Sequence, residues 1–229
     1  MAASPIRVVG VDIGIRNLSV CLLEIQQGGG DHGQTLLERA ISGLRGSGCL
    51  DWEVAELCPS TKNANRCAHS TILDGMVKFV RARRDLFQWA THVVIEAQPA
   101  ARMKMISAAL YALVRELRGE DARILFHPAR RKLTAWGKPL LSYAPEVRQK
   151  TYSERKKGAV ALMTRLLTDS ETHAHTIAAL ARMRKKDDAA DSFLHALSFA
   201  VCLPRPRGWC GGTEAAGDNA SDLDLLTES

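Results

Sequence analysis

Two acidic residues follow apolar, β-branched runs of the sequence. Asp12 lies near the end of IRVVGVDI, and Glu96 follows HVVI. Such runs are typical of buried strands, where an ionised carboxylate is costly unless a charged group compensates for it. A turn aspartate before Gly14 and a solvent-facing edge glutamate are the ordinary alternatives. A bound cation would explain both acids, because adjacent strand ends can place them side by side.

A second acidic group lies in the segment KKDDAADSFLHALSFAV, in which Asp188 and Asp191 are three residues apart and so share one helix face. Asp187 and Asp188 could simply favour a helix N-terminus, but that does not account for Asp191 among apolar neighbours. Two carboxylates on one face repel each other unless a metal neutralises them. This pattern therefore also points to a cation.

The four candidate metal ligands are all carboxylates: Asp12, Glu96, Asp188 and Asp191. Oxygen donors without ligand-spaced Cys or His favour Mg²⁺, with Mn²⁺ as a substitute, over zinc. Two such ions in one site can activate a water and stabilise the leaving oxygen of a phosphodiester. The sequence thus predicts a two-metal phosphodiesterase site.

The distribution of charge fits a polyanionic partner. All 31 Lys and Arg lie in residues 1–207, whereas five of the 25 acidic residues follow Arg207, so the body carries a net charge of +11. A body this basic favours nucleic acid, since binding releases counterions from phosphates. Many soluble proteins are basic without such a role.

The arrangement of predicted elements indicates an α/β fold with a mixed sheet flanked by helices. Three antiparallel strands come first, and alternating strands and helices follow. The predicted strands cover residues 6–13, 18–25, 35–42, 91–99 and 122–128. The predicted helices run from Ser70 or Thr71 to Ala90, over 102–118 with Gly119 as C-cap, and over 148–168. Residues 170–204 are predicted to form one helix, or two with a break near Lys185. Residues 44–70 give no clear prediction, and 129–147 indicate a basic loop.

We expect one domain over residues 1–207, followed by an acidic, disordered tail over 208–229. The N-terminus has no signal-peptide pattern and no apolar run is long enough to cross a membrane, which favours an intracellular protein. The six cysteines are scattered, so we expect reduced thiols that serve mainly in packing.

Four motifs occur in an order that resembles the RuvC-type Holliday junction resolvases, most closely those of poxviruses. They are DIGIRN at 12–17, VVIEAQ at 93–98 with ARMK after it, YSERKK at 152–157 and DDAAD at 187–191. The resemblance covers roughly residues 6–204. It departs from the family in a Gly-rich insertion near residue 30 and in the acidic tail, neither of which contains a motif position.

The resemblance implies an RNase H-like fold, a homodimer, Mg²⁺ dependence and paired cuts in four-way DNA junctions formed as viral genomes replicate in the host cytoplasm. Asp12, Glu96, Asp188 and Asp191 match the four acids of the family. The family also uses a basic residue upstream of the last acids, and Lys156 or Lys157 fills that place. Such a lysine could stabilise charge at the scissile phosphate, or it could lie on a solvated helix face.

A substrate that is cut twice with two-fold symmetry calls for two active sites, and hence for two chains. The predicted helix 102–118 carries a stripe of small and flexible residues that could let two copies approach closely: Met105, Ala108, Ala109 and Ala112. Packing of that stripe against the sheet is the alternative.

Two other classes of function remain open. Another RNase H-like nuclease, acting on RNA–DNA hybrids or as an integrase, would use a similar set of acids. The DIGIRN turn is also compatible with an actin-like ATPase or a sugar kinase. That class needs a second phosphate loop and an adenosine site, for which the sequence has no matching motif.

Overall fold

The computed structural model describes residues 5–26, 34–45, 50–58, 67–120, 122–129, 131–134, 136–145, 151–171 and 174–203. At its centre is a five-stranded sheet. Its strands are β1 (Ile6–Ile13), β2 (Asn17–Ile25), β3 (Leu50–Glu56), β4 (His92–Ala97) and β5 (Arg123–Pro128). In the order β3-β2-β1-β4-β5, the first three strands pair antiparallel, while β1, β4 and β5 pair parallel. The mixed sheet predicted from the sequence is confirmed.

Helices cover both faces of this sheet. They are α1 (Leu36–Arg45), α2 (His69–Ala82), α3 (Arg84–Trp89), α4 (Ala101–Arg118), α5 (Arg131–Thr134), α6 (Gly137–Tyr143), α7 (Tyr152–Asp169), α8 (Ala174–Arg182) and α9 (Lys186–Cys202). One apolar core joins the sheet to α1, α7 and α9, and a second joins it to α2, α3 and α4. The sheet is therefore the middle of three layers. None of the described helices is long and apolar enough to cross a membrane.

The third antiparallel strand is not where the sequence placed it. Residues 36–45, predicted to be largely strand, form α1 instead, and the third strand is β3 in the stretch that gave no clear prediction. Thr35 and Glu38 satisfy each other's backbone N–H groups in a capping box, with distances of 2.8 and 3.2 Å. Helical spacing then buries Leu37 and Ala40 on one face. Local capping and 3.6-residue periodicity thus outweigh the apparent strand pattern.

Two other predictions of helices and loops need correction. The helix expected to end at Ala90 is broken at Arg83, and its N-cap is Ala68 rather than Ser70 or Thr71. The expected basic loop after residue 129 contains α5 and α6.

Several predicted helix boundaries are confirmed. Gly119 ends α4 with a positive φ of 75°, a conformation that glycine adopts without strain. The helix predicted over 148–168 instead begins at Tyr152, where Thr151 and Glu154 form a capping box. The break near Lys185 separates α8 from α9. The predicted tail, 208–229, and the Gly-rich stretch at 27–33 lie outside the described residues.

Gly10 allows α9 to lie directly on the sheet. A Cβ at Gly10 would lie 2.8 Å from the Cβ of Ala196, closer than such atoms approach. Nearby, the hydroxyl oxygens of Ser19 and Ser192 are 3.0 Å apart. The N-terminal half of α9 is therefore held tightly against β1 and β2.

The expectation of reduced thiols is wrong for one pair of cysteines. Cys58, after β3, and Cys67, before α2, form a disulfide. They are nine residues apart in the sequence, and only the approach of β3 to α2 brings them together. Within the described residues, Cys21 and Cys202 are not part of a disulfide, and Cys49 and Cys210 lie outside the described residues.

Candidate active site

Three of the four predicted acids converge between the sheet and α9. Asp12 comes from β1, Glu96 from β4 and Asp191 from the second turn of α9. Glu96 is 7% exposed, and its carboxyl group shares a hydrogen bond with that of Asp12. Parallel pairing of β1 with β4 brings Asp12 and Glu96 to the same edge, and the close packing of α9 brings Asp191 to them.

The pKa values of the paired carboxyls move in opposite directions. Burial raises the pKa of Asp12 well above its usual range, and the hydrogen bond and negative charge of Glu96 raise it further. Burial would also raise the pKa of Glu96, but its contacts with His195 and Asp12 outweigh burial and hold it below the usual range. Burial and the shared hydrogen bond therefore favour the protonated form of Asp12 and the ionised form of Glu96.

The ammonium group of Lys132 lies against these acids. Its Nζ is 2.7 Å from Asp191 Oδ1 and 3.7 Å from Glu96 Oε1. Burial opposes the charge of Lys132, but the attraction of Asp191 and Glu96 prevails and raises its pKa. Sequence reasoning missed this lysine, because it lies on α5 in a segment that resembled a basic loop.

A chain of hydrogen-bonding side chains supports Glu96 from behind. His195 Nε2 lies 3.3 Å from Glu96 Oε1, and His195 Nδ1 lies 3.0 Å from His127 Nδ1. On the other carboxylate oxygen, Gln98 donates to Glu96 Oε2 at 2.7 Å and to the carbonyl of Ile13 at 3.2 Å. Both oxygens of Glu96 are therefore oriented. Sequence reasoning missed His127 and His195, which share no local motif with the acids.

The fourth predicted acid, Asp188, lies one turn before Asp191 and has other partners. Asn17 Nδ2 donates to its Oδ2 at 3.0 Å. Lys156 Nζ lies 3.6 Å from its Oδ1 and also forms an ion pair with Asp187. Asn17, from the DIGIRN turn, thus anchors the start of α9 to the start of β2.

The structure distinguishes the two lysines of the YSERKK motif. Lys156 is half-buried against the acids at the start of α9, and its hydrogen bond and ion pair with Asp187 raise its pKa despite burial. Lys157 is exposed on α7, with its side chain lining a neighbouring groove. Lys156 is therefore the lysine that contacts Asp187 and Asp188.

Two grooves next to Asp188 are lined mainly by basic and polar groups. One lies between α7 and the segment before α9, and its polar lining is Tyr152, Ser153, Lys156, Lys157, Arg184, Lys186 and Asp187. The other is lined by Arg16, Asn17, Val54, Glu56, Met183, Arg184 and Lys185. They share Arg184. Positively charged grooves of this kind suit a phosphate backbone.

The donor chemistry of the cluster suits a hard divalent cation. Asp12, Glu96 and Asp191 provide carboxylate oxygens, and Asp188 provides another one turn away. Burial favours the protonated form of the Asp12 carboxyl, and a bound cation would favour its ionised form. In the described part of the chain, no three His, Cys, Asp or Glu side chains already surround a common ion position, and Lys132 contacts two of the acids instead.

Residues 130–203 match the sequence model of the family described as Poxvirus A22 protein. This region contains Lys132, Lys156, Asp188 and Asp191. The predicted resemblance to a poxvirus family is thereby confirmed over these residues. No curated protein matches the chain in sequence.

Solved structures with a similar fold include the fowlpox virus Holliday junction resolvase. It is 16% identical with a TM-score of 0.50, over 86% of this chain and 100% of that one. This likeness identifies the fold as RNase H-like, as the sequence predicted. Thermus thermophilus RuvC is 15% identical over 86% of this chain and 94% of its own, with a TM-score of 0.49. The yeast mitochondrial Holliday junction resolvase is 16% identical over 88% and 82%, also with a TM-score of 0.49.

Proposed function

We propose that this chain is a Holliday junction resolvase, an endonuclease that makes paired, metal-dependent cuts in four-way DNA junctions during viral DNA recombination. The observation that carries the proposal is the convergence of Asp12, Glu96 and Asp191, with Asp188 one turn away, beside basic grooves. The match to the poxvirus A22 family and the fold of the fowlpox virus resolvase support it. By the same resemblance, we place its action in the host cytoplasm where viral DNA replicates.

The proposed site would hold Mg²⁺, with Mn²⁺ as a substitute, through Asp12, Glu96, Asp188 and Asp191. When bound, two such ions would activate a water and stabilise the leaving 3′ oxygen. Gln98 and His195 orient Glu96 from either side. Asn17 orients Asp188. Because Asn17 also lines a basic groove, a DNA backbone bound in that groove would lie close to the acids.

Lys156 is the basic residue that we assign to the scissile phosphate. It lines the groove between α7 and α9 and contacts Asp187 and Asp188. A positive charge there would stabilise the negative charge that develops on the phosphate oxygens. The exposed Lys157 and Arg184 would instead neutralise phosphates further along the groove.

The homodimer would form through α4 and the neighbouring edge strand. Ala108 and Ala112 are exposed on α4, whereas the core-facing side chains of this helix include Ile106 and Leu110. Next to that exposed face, Phe126 of β5 is 48% exposed and stacks on Tyr111 at a centroid distance of 5.8 Å. An apolar face of small and aromatic residues suits a symmetric contact between two copies.

A substrate panel tests the proposal. Labelled four-way junction, duplex of the same sequence and RNA–DNA hybrid would be incubated with the protein in Mg²⁺, in Mn²⁺ and in chelator. We expect symmetric paired cuts in the junction alone, only with metal. Asp191→Asn should bind the junction without cutting it.

Other outcomes would separate the alternatives. Cleavage of the hybrid but not of the junction would instead indicate a ribonuclease of the same fold. Cutting of the junction that persists in chelator would contradict the metal-dependent mechanism. Folded protein that binds no junction would contradict the proposed substrate.

A further inference from the structure

Lys132 is a buried cation within the acidic cluster that the proposed chemistry does not use. Its side chain is only 16% exposed, as is that of Asp191, which it contacts. A buried lysine is costly unless it is paired with acids, and this one is paired with two. This placement indicates that Lys132 has a role other than adding to the surface charge.

The backbone around Lys132 is fixed by the core. The indole Nε1 of Trp136 donates to the carbonyl oxygen of Lys132 at 2.6 Å, and Trp136 is itself only 3% exposed. The neighbouring Leu133 packs against the core that contains α9. The backbone of Lys132 is therefore held in place next to the acids. Only the Lys132 side chain can move its ammonium group away from them.

The ammonium group of Lys132 lies where Asp191 and Glu96 would coordinate a metal ion. Its Nζ contacts Oδ1 of Asp191 and Oε1 of Glu96, which come from different elements. A divalent cation coordinated by the same two carboxylates would lie within a few ångströms of this nitrogen. Two cations at that separation repel strongly in a partly buried site.

We propose that Lys132 is a built-in counter-ion that holds the acids of the metal-free site together and competes with the incoming divalent metal for Asp191 and Glu96. This inference rests on the proposed function, because it assumes that the acids bind metal. Metal binding then requires the Lys132 side chain to leave the carboxylates. Lys132 thus lowers metal affinity while it stabilises the metal-free fold.

Direct Mn²⁺ binding in the absence of DNA tests this role. Calorimetry and the electron paramagnetic resonance signal of free Mn²⁺ would be followed for the wild type, Lys132→Met and Lys132→Arg. Lys132→Met should bind Mn²⁺ at least about tenfold more tightly, since a unit charge next to the ion is removed. Lys132→Arg, which keeps the charge, should stay near the wild-type affinity. Lys78→Met, at an exposed position on α2, is the matched control and should bind as the wild type does.

Thermal unfolding provides a second readout. Without metal, Lys132→Met should have a lower Tm than the wild type, because the carboxylates of Glu96 and Asp191 lose their shared counter-ion. Saturating Mn²⁺ should raise its Tm by more than it raises that of the wild type. If Lys132→Met does not fold, Lys132→Gln, which still donates a hydrogen bond, should show the same tighter binding.

The outcomes distinguish this inference from the proposed function. If the neutral variants bind Mn²⁺ no more tightly than the wild type, while Asp12→Asn binds it weakly, Lys132 does not compete and only this inference is wrong. If neither the wild type nor any Lys132 variant binds Mn²⁺, both the inference and the proposed metal site are wrong.

Discussion

The Nδ1 atoms of His127 and His195 face each other at 3.0 Å in the interior of the protein. One of them must carry the proton. Because His195 Nε2 faces a carboxylate oxygen of Glu96, we assign its proton to Nε2, so His127 Nδ1 donates to His195 Nδ1. His127 is then hydrogen-bonded to His195, whose Nε2 lies 3.3 Å from Glu96 Oε1 at the acidic cluster.

This arrangement predicts a loss of stability in mild acid. Burial is the main cause that lowers the pKa of His127 to about 4 from its ordinary 6.5. Between these values the unfolded chain binds more protons than the folded one, so the free energy of unfolding falls as pH drops through that window. The Tm of the wild type should fall between about pH 7 and about pH 5. His127→Gln should show a smaller fall, as followed by circular dichroism, and an equal fall would contradict the assignment.

The four acids should be needed for cutting but not for binding. We expect Asp12→Asn, Glu96→Gln, Asp188→Asn and Asp191→Asn each to slow single-turnover cleavage of a junction by at least about a hundredfold. Junction affinity should be preserved or increased, because each change removes a negative charge near the basic grooves.

Asp74→Asn, at an exposed position on α2, is the control for loss of an acid remote from the site. It should cut as the wild type does. Near-normal cleavage by any two of the four variants would disprove the proposed site.

The two lysines of α7 should differ in what they contribute. Lys156→Ala should reduce the single-turnover rate by about tenfold or more, since this side chain contacts Asp187 and Asp188. Lys157→Ala should mainly weaken junction binding and reduce its salt dependence. Parallel measurement of rate and Kd separates the two effects. A larger loss of rate in Lys157→Ala would reverse the assignment.

The dimer prediction is tested best at Ala112, which is exposed on α4, whereas Ala109 is half-buried. Ala112→Arg should give a folded monomer that no longer makes paired cuts. Ala178→Arg, at an exposed position on α8, should remain a dimer. Sedimentation equilibrium measures the assembly. A wild-type monomer at micromolar concentration that still makes coordinated paired cuts would refute the proposal.

Removal of the acidic C-terminal segment should leave the domain functional. A chain ending at Arg207 should unfold at the wild-type Tm and cut junctions, because residues 208–229 have no core-forming pattern. Loss of five negative charges should tighten junction binding at low salt. An insoluble or inactive truncated protein would show that the segment contributes to the fold.

Features that depend only on neighbouring residues were predictable from the sequence. Apolar runs marked β1, β2 and β4, and Gly119 marked the end of α4. The acids could be identified from the sequence because two local patterns are unusual. One is a carboxylate directly after a buried strand, and the other is two carboxylates on one helix face. Strand order was predictable only in outline, and α1 was misassigned because its short apolar stretch fits both periodicities.

The residues that complete the site are identified only by the long-range packing of the chain. Lys132 lies 59 positions before Asp191, and His127 lies 68 positions before its partner His195. Nothing local distinguishes these side chains from other basic and histidine residues. Their roles arise because the parallel pairing of β4 with β5 and the close approach of α9 at Gly10 enclose the acids. The partner of a buried charge depends on which distant segments pack around it. Short-range sequence patterns therefore do not predict that partner.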